Sequence, residues 1–566
     1  MPPPTATGSG GPTDTRQPDI ITIMLDDLRW DELNWMPNVR RYIADRGVTF
    51  RNSFSPYPLC CPARASFLTG QYAHNHEVYS HNRPYGFRAF RDRRTLATAL
   101  QKAGYHTSIV GKYLNGYGRM WTHDGQHDSS TYVPPGWDNW AVGVELSQKL
   151  PSYHPLAGDM YDYFDTTTNE NGVLVPHEGE YNTELFGRLA ARSLQESVHS
   201  GKPTFLYLSL LAPHHGDPYE YDDPLPRKLE PTEYAPEDTP GDTLPADYYT
   251  PARPEWIRGK LNPLVPRGLG IARPGAPEED LSTKPHYLRS WPPLDAVDLD
   301  AVRQLTVQRA EALVAADVEI GKLIAALKES QRLDETLLVF TSDNGFFLGE
   351  HRQREGKVKP HDPALRVPLI VAGPGIPAGE LRDDPATTVD LTATLLDYAG
   401  ARPPHLADGA SLRPVIEAGD SGWDRPVPYE ASIVRVPTRP GAWRVLTAYG
   451  VRTARWAYVL YATEEAELYD LKRDPEELVN LSGTPELAEI ERVLRETLGA
   501  GRACRGAECL RPLPETLQIG PRAGSRLADA AWLAHLSRFG TPYPLTLEGE
   551  RTLLAGGTLA PAAPAP

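Results

Sequence analysis

The sequence predicts an α/β fold, with one large, mostly parallel sheet flanked by helices and then a smaller C-terminal α+β domain containing an antiparallel sheet. Three observations carry that prediction. Short apolar, β-branched runs alternate with helix-period segments, the pattern of strands buried on both faces and covered by helices. Each run stops abruptly at polar or glycine-containing words. After about residue 415 the texture changes to shorter strand-like runs.

Taken in order, Asp19 to Leu25 (DIITIML) reads as a buried strand ending at Asp26-Asp27. A helix follows Pro37, with Val39, Tyr42 and Ile43 on one face and Gly47 closing it. Thr95 to Ala103 reads as a helix stopped by Gly104, and Tyr105 to Val110 as a strand running into Gly111-Lys112. Thr204 to Leu211 (TFLYLSLL) is a strand running into Ala212-Pro213-His214. A long helix over about 300 to 330 precedes Thr336 to Phe340 (TLLVF), which runs into Ser342-Asp343-Asn344-Gly345. In open sheets of this kind the ligand site lies beyond the carboxyl ends of the strands. Asp26, Lys112, His214 and Asp343 are thereby expected at one edge.

Four stretches organise the 566 residues. Residues 1–17 are rich in Pro, Gly, Ser and Thr and read as disordered. The main domain spans 18–415 and contains an insertion, 215–300, crowded with Pro, Asp, Glu and Tyr, which reads as a loop over the site. A subdomain spans 416–510, with strands at Trp443–Tyr449 and Trp456–Tyr461. The tail, 511–566, carries one amphipathic patch near 526–538 and ends in low-complexity APAAPAP.

A formal charge of −16 argues against nucleic acid or an anionic membrane surface as partner. No apolar run is long enough to span a bilayer. The start, Met1-Pro2-Pro3-Pro4-Thr5, lacks the basic and apolar stretches of a signal peptide, which favours the cytoplasm. Cys504 and Cys509, with four residues between them, could instead close a disulfide loop and point to a secreted or periplasmic setting. Two free thiols are the alternative, and zinc is disfavoured because no His flanks the pair. The compartment stays open.

The chemistry is concentrated in a few words. Cys60-Cys61-Pro62-Ala63-Arg64 has the form C-x-P-x-R and is followed by Leu68-Thr69-Gly70. By itself the pair could be two buried small hydrophobes. Asp26-Asp27 and Asp343-Asn344 supply four hard oxygen side chains, suited to Ca²⁺ or Mg²⁺ and not to a thiolate-preferring metal. Alone, they could equally be a helix cap and a turn.

Together these segments resemble type I, formylglycine-dependent sulfatases of the alkaline phosphatase superfamily. The resemblance runs from about residue 19 to 481, closing with Glu467-Leu468-Tyr469-Asp470-Leu471, Asp474-Pro475-Glu476 and Asn480-Leu481. Thr69-Gly70-Gln71-Tyr72-Ala73-His74-Asn75-His76 and Gly111-Lys112-Tyr113-Leu114-Asn115 are nearest in wording to the N-acetylglucosamine-6-sulfatase and arylsulfatase branch. The resemblance implies an alkaline phosphatase-like fold and hydrolysis of a small sulfated substrate, an aryl or sugar sulfate. It implies that a formylglycine-generating enzyme converts Cys60 to formylglycine, whose hydrate is the nucleophile. Asp26, Asp27, residue 60, Asp343 and Asn344 would hold the metal, with Ca²⁺ favoured and Mg²⁺ open. Arg64, Lys112, His214 and Lys357 would grip the sulfate. Lys357 is placed by its ten-residue spacing to Val367 of Arg366-Val367-Pro368-Leu369.

Two departures stand out. Leu114 occupies the position where many sulfatases carry a His, leaving Asn115 to take over by orienting a water. His361-Asp362 replaces a usual Tyr-Glu, and His361 reads as either a substrate contact or a surface residue. The insertion, His74, His76, His81 and the tail are expected to set substrate choice. Two rival readings stay open: a phosphonate monoester hydrolase or phosphodiesterase of the same fold, and a catalytically silent, metal-stabilised binding protein.

Overall fold

In chain order the strands are β1 (Asp19–Leu25), β2 (Gly47–Phe50), β3 (Ser53–Phe54), β4 (His106–Gly111), β5 (Asn139–Gly143), β6 (Asp165–Glu170), β7 (Val173–Glu178) and β8 (Thr204–Leu210). Then come β9 (Thr336–Ser342), β10 (Leu369–Ala372), β11 (Glu380–Arg382), β12 (Ala386–Thr387), β13 (Val427–Arg439), β14 (Ala442–Arg452), β15 (Trp456–Tyr461) and β16 (Ala466–Asp470). The computed structural model describes residues 17–146, 158–218, 220, 250–289, 291–439, 442–541 and 544–559. The segment 1–16, residues 221–249 of the expected insertion and the closing APAAPAP lie outside the described residues.

Ten strands form one sheet in the order β11-β2-β10-β9-β1-β8-β4-β5-β6-β7. Its centre, β9 through β5, is parallel. Both flanks turn antiparallel, at β10 on one side and at β6 and β7 on the other. Side chains alternate across a strand, and β1 shows the consequence. Ile21, Ile23 and Leu25 enter a core shared with helices Asn182–Ser200 and Ala296–Glu329. Ile20 and Met24 enter the opposite core, shared with helices Cys60–Thr69, Leu96–Lys102 and Thr388–Tyr398. Every residue of β1, β8 and β9 is buried, as expected for strands covered on both faces.

The helix expected from Thr95 spans Leu96–Lys102, with the Thr95 hydroxyl accepting from Thr98 N at 3.3 Å. Gly104 follows it at φ 97°. The helix after Pro37 ends at Tyr42 and a 3-10 turn, Ala44–Arg46, carries on to Gly47, which caps it as expected. Gly47 also opens β2, where a Cβ would lie 2.2 Å from the Val371 carbonyl oxygen, so only glycine lets β2 and β10 approach. The described part of the insertion is irregular yet packed, with Ile257, Leu261, Leu264 and Val265 in the core. The expected tail likewise folds back: it forms helices Pro521–Phe539 and Leu547–Leu554, and Leu545 and Leu553 join the core of β1.

The four strands β13 to β16 form an antiparallel sheet in sequential order. Helix Ala488–Gly501 covers it, packing Leu494 and Leu498 against Tyr458 and Val459. Cys504 and Cys509 are joined by a disulfide. Among the described residues, no helix is long and apolar enough to cross a membrane.

Candidate active site

Four strands of the parallel core end at one edge and deliver their next residues there. Asp26 and Asp27 follow β1, Asp343 and Asn344 follow β9, Lys112 follows β4, and His214 lies just past β8. Gly111 is required for this delivery: it sits at φ 106°, and a Cβ would lie 1.9 Å from the Ser209 carbonyl oxygen. Helix Cys60–Thr69 begins at the same edge and is buried over its whole length. Residue 64 is one turn beyond residue 60, so Cys60 and Arg64 face the same way. Gly70, left-handed at φ 69°, ends the helix.

The side chains interlock. Cys60 Sγ lies 3.1 Å from Asp26 Oδ1 and 2.7 Å from Lys357 Nζ. Lys112 Nζ donates to Asp26, and Lys357 Nζ to Asp27. Arg64 donates from Nε to Asp343 Oδ2 at 2.7 Å, and from Nη1 to Ser209 Oγ at 2.5 Å and the Lys112 carbonyl at 3.0 Å. Asn344 Nδ2 donates to Asp27 Oδ1 at 2.6 Å. His214 Nε2 stands 3.8 Å from Asp27 Oδ2. All nine residues expected from the sequence, Asp26, Asp27, Cys60, Arg64, Lys112, His214, Asp343, Asn344 and Lys357, meet in this one cluster.

Its electrostatics follow from burial and neighbours. Burial opposes ionisation of Asp26, yet Lys112 and the other nearby cations hold its carboxyl well below the usual range. Asp343, with burial and Asp26 acting together, is pushed up to about 6. Burial and then Asp26 drive the Cys60 thiol well up, so the encoded residue is a neutral thiol and a poor nucleophile. His214 is held neutral by burial and by His215 beside it.

The donor set fits a hard divalent cation. Three buried carboxylates converge with Asn344, whose Oδ1 is buried without a hydrogen-bond partner. Asp26, Asp27, Cys60 and His214 offer ligand atoms within 4.8 Å of one another. Three acids, Asp26, Asp27 and Asp343, balance three bases, Arg64, Lys112 and Lys357. A divalent cation would therefore leave positive charge over for an anionic ester.

Several members carry weaker sequence signals. Arg309, inside the long helix, donates to the Asp27 carbonyl and to Glu32, both at 2.6 Å, and holds the turn in which Asp27 is left-handed at φ 66°. A charge at a core position of a helix was its one available sign. Tyr161 had none: its ring lies 5.0 Å from Lys112 Nζ, and its hydroxyl accepts from Asn115 Nδ2 at 2.5 Å and donates to Glu145 at 3.2 Å. Leu114 points into the apolar core. His361 is not a surface residue: it is fully buried 3.1 Å from Glu467. Two of the expected specificity histidines are tied inward as well: His76 to Ser66 at 2.9 Å and His74 to Glu430 at 2.6 Å.

Comparison with known proteins shows the family. The sulfatase family model matches residues 18–401, and that of the N-sulphoglucosamine sulphohydrolase C-terminal region matches 349–503. The chain is 30% identical over 412 residues to an extracellular sulfatase SULF-1 homolog of Drosophila melanogaster, covering 71% of this chain and 31% of that protein's length. It is 27% identical over 519 residues to an N-acetylglucosamine-6-O-sulfatase of Bacteroides thetaiotaomicron, covering 86% of each. Among solved structures, a protein in complex with its substrate D-glucosamine-2-N,6-O-disulfate shares the fold, with TM-score 0.61, 23% identity, and coverage of 86% of this chain and 97% of that one. So does a phosphonate monoester hydrolase from Silicibacter pomeroyi, with TM-score 0.58, 23% identity, and coverage of 90% and 100%.

Proposed function

Because the chain belongs to the sulfatase family, we infer that it hydrolyses the S–O bond of a sulfate monoester, releasing an alcohol and inorganic sulfate. The observation that carries this reading is the meeting of Cys60 with three buried carboxylates, Arg64 and two lysines at the carboxyl edge of the sheet. Oxidised to formylglycine by a maturation enzyme, residue 60 would supply a geminal diol, one hydroxyl for attack on sulfur and the other for release. A divalent cation, Ca²⁺ by family resemblance, would be held by Asp26, Asp27, Asp343 and Asn344 and would supply Lewis-acid polarisation of the sulfate.

The chain's own residues supply the rest. Lys112 and Lys357, now resting on carboxylates, are long enough to turn toward an incoming sulfate and neutralise its developing charge. Arg64 is fixed by three hydrogen bonds and keeps residue 60 and Asp343 in register. Asp343 is placed to accept the proton of the attacking hydroxyl. His214, with Nε2 3.8 Å from Asp27, would hold the proton that the leaving oxygen needs. At the position vacated by the usual histidine, Asn115, Tyr161 and Glu145 form a hydrogen-bonded chain able to orient a water.

A sulfated sugar is the substrate class best supported, from the full-length likeness to an N-acetylglucosamine-6-O-sulfatase. The test is a panel of aryl sulfate, glucosamine 6-sulfate, aryl phosphodiester and aryl phosphonate on protein whose residue 60 has been shown by peptide mass spectrometry to be the aldehyde. Preference for the sulfates supports the inference. Preference for the phosphorus esters would establish the phosphonate monoester hydrolase reading that the shared fold leaves in play. Turnover by protein whose residue 60 is still a thiol would remove the proposed nucleophile.

A further inference from the structure

The second cysteine pair lies away from the catalytic cluster, and the fold gives it a neighbour that the sequence around it lacks. Cys504 Sγ is 3.9 Å from Nε2 of His74, on the segment that follows the Cys60 helix. The ligand atoms of His74, Cys504 and Cys509 all lie within 4.8 Å of one another. His74 Nδ1 is bound to Glu430 Oε1 at 2.6 Å, so a carboxylate sets the ring and leaves Nε2 on the side of Cys504. That is the arrangement of a metal-ligating histidine backed by a carboxylate. A disulfide closing so short a loop constrains the unfolded chain less than a long-range bridge does. Bracing alone is therefore a weak reason for the pair to be here.

We propose that, once reduced, this corner binds a zinc ion through Cys504 Sγ, Cys509 Sγ and His74 Nε2, with Glu430 orienting the imidazole. A dithiol reductant transfers two electrons and two protons to the S–S bond, giving two thiols and its own cyclic disulfide. Zinc then displaces both thiol protons and the Nε2 proton of His74, which pass to solvent, and two S–Zn bonds and one N–Zn bond form. Two thiolates and Zn²⁺ sum to neutral, which suits cysteines that are each only 3% exposed.

The distances are close to what is needed. Zn–S of about 2.3 Å and Zn–N of about 2.0 Å place S and N about 3.5 Å apart in a tetrahedron. His74 Nε2 presently donates to the Cys504 carbonyl at 3.0 Å and must leave it. That oxygen keeps the Asn75 Nδ2 donor at 2.9 Å. A cavity of about 490 Å³ lined by His74, Glu77, Tyr79, Arg88 and His123 reaches the histidine side of this corner, and a water would be the fourth ligand. Soft sulfur donors separate this site from the oxygen-lined catalytic one.

The test uses full-length chain carrying Cys60→Ala, with excess Ca²⁺ present, so that no catalytic thiol or vacant oxygen site competes. Co²⁺ is titrated into the reduced and the oxidised forms. The proposal expects one equivalent per reduced chain, with tetrahedral d–d absorption and a thiolate-to-cobalt band, bleached by Zn²⁺ and absent from oxidised protein. His74→Ala should abolish the tetrahedral signature. Glu430→Gln should weaken binding by about 10–100-fold and decides the matter if His74→Ala, checked by melting of its oxidised form, does not fold. Absence of a thiolate band in folded reduced chain, or a band indifferent to Glu430→Gln, overturns the proposal. Neither result bears on the sulfatase reading, which involves none of these residues.

Discussion

His214, in the cleft, and His535, on helix Pro521–Phe539, are both buried beside aspartate and yet hold opposite charge states. His214 Nε2 lies 3.8 Å from Asp27, but burial and then His215 hold it well below its usual range, with Lys112 and Lys357 adding to the effect. His535 lies 3.3 Å from both Asp31 and Glu476, and those two acids outweigh its burial and push it up to about 9. Burial thus disfavours charge at both sites, and the local count of acids and bases decides the outcome. Around His214 the three carboxylates are already matched by three bases, and burial and His215 keep the ring neutral. Under the C-terminal helix the charges close on themselves. One region is poised for a ligand and the other is a seam, so substitutions should separate cleanly into effects on turnover and effects on stability.

The largest separation is expected at residue 60. Cys60→Ala should lower kcat by at least about 10⁴-fold while leaving the thermal midpoint within a degree or two of the parent. Cys60→Ser should react once and stall, seen as a stoichiometric burst with sulfate retained on the protein. Steady turnover by Cys60→Ser would break the mechanism. Next comes the cation: dialysis against a chelator should cost on the order of 10³-fold in kcat/KM. Ca²⁺ and Mg²⁺ added back separately would then identify the ion. Lys357→Ala should cost about 10²–10³-fold, chiefly in kcat if the lysine meets charge that develops in the transition state. A pure KM effect would reduce it to a substrate-binding residue.

What the sequence made legible in the cleft reflects how it is built. Asp26, Lys112, His214 and Asp343 each stand just past an apolar run, so a one-dimensional rule about strand ends places them. The antiparallel extension escaped it because β6 (DTTTNE) has no apolar alternation and β7 carries Pro176 at the edge of the sheet. Gly47 does stop a helical turn, but its second role in letting β2 and β10 approach was not legible, because a glycine required by close strand approach looks the same in sequence as one that caps a helix. His361 could not be placed, since its partner Glu467 is 106 residues away, on β16. The tail's amphipathic patch near 526–538 lies on helix Pro521–Phe539, but the Pro, Gly and Ala around it give no sign that Leu545 and Leu553 are buried in the main core.

The seam offers the smallest effect and the sharpest test of the comparison. His535 is raised from 6.5 to about 9 in the folded chain. Its protonated form contributes stability that is fully present below about pH 6.5 and is lost as pH rises through about 9. The shift caps that contribution at about 3 kcal/mol, a few degrees of melting temperature in a chain of this size. His535→Leu keeps the bulk facing Trp30, whose ring lies 4.9 Å away, and removes the charge between Asp31 and Glu476. Asp31 retains Arg29 at 2.8 Å, so the variant should still fold. Melting curves across pH 6 to 10 should show the parent losing stability through this window and the variant lacking that slope, with the two converging at the alkaline end. A variant that keeps the parent's slope would mean that His535 is not charged at neutral pH, and that the acids around it do not prevail over burial.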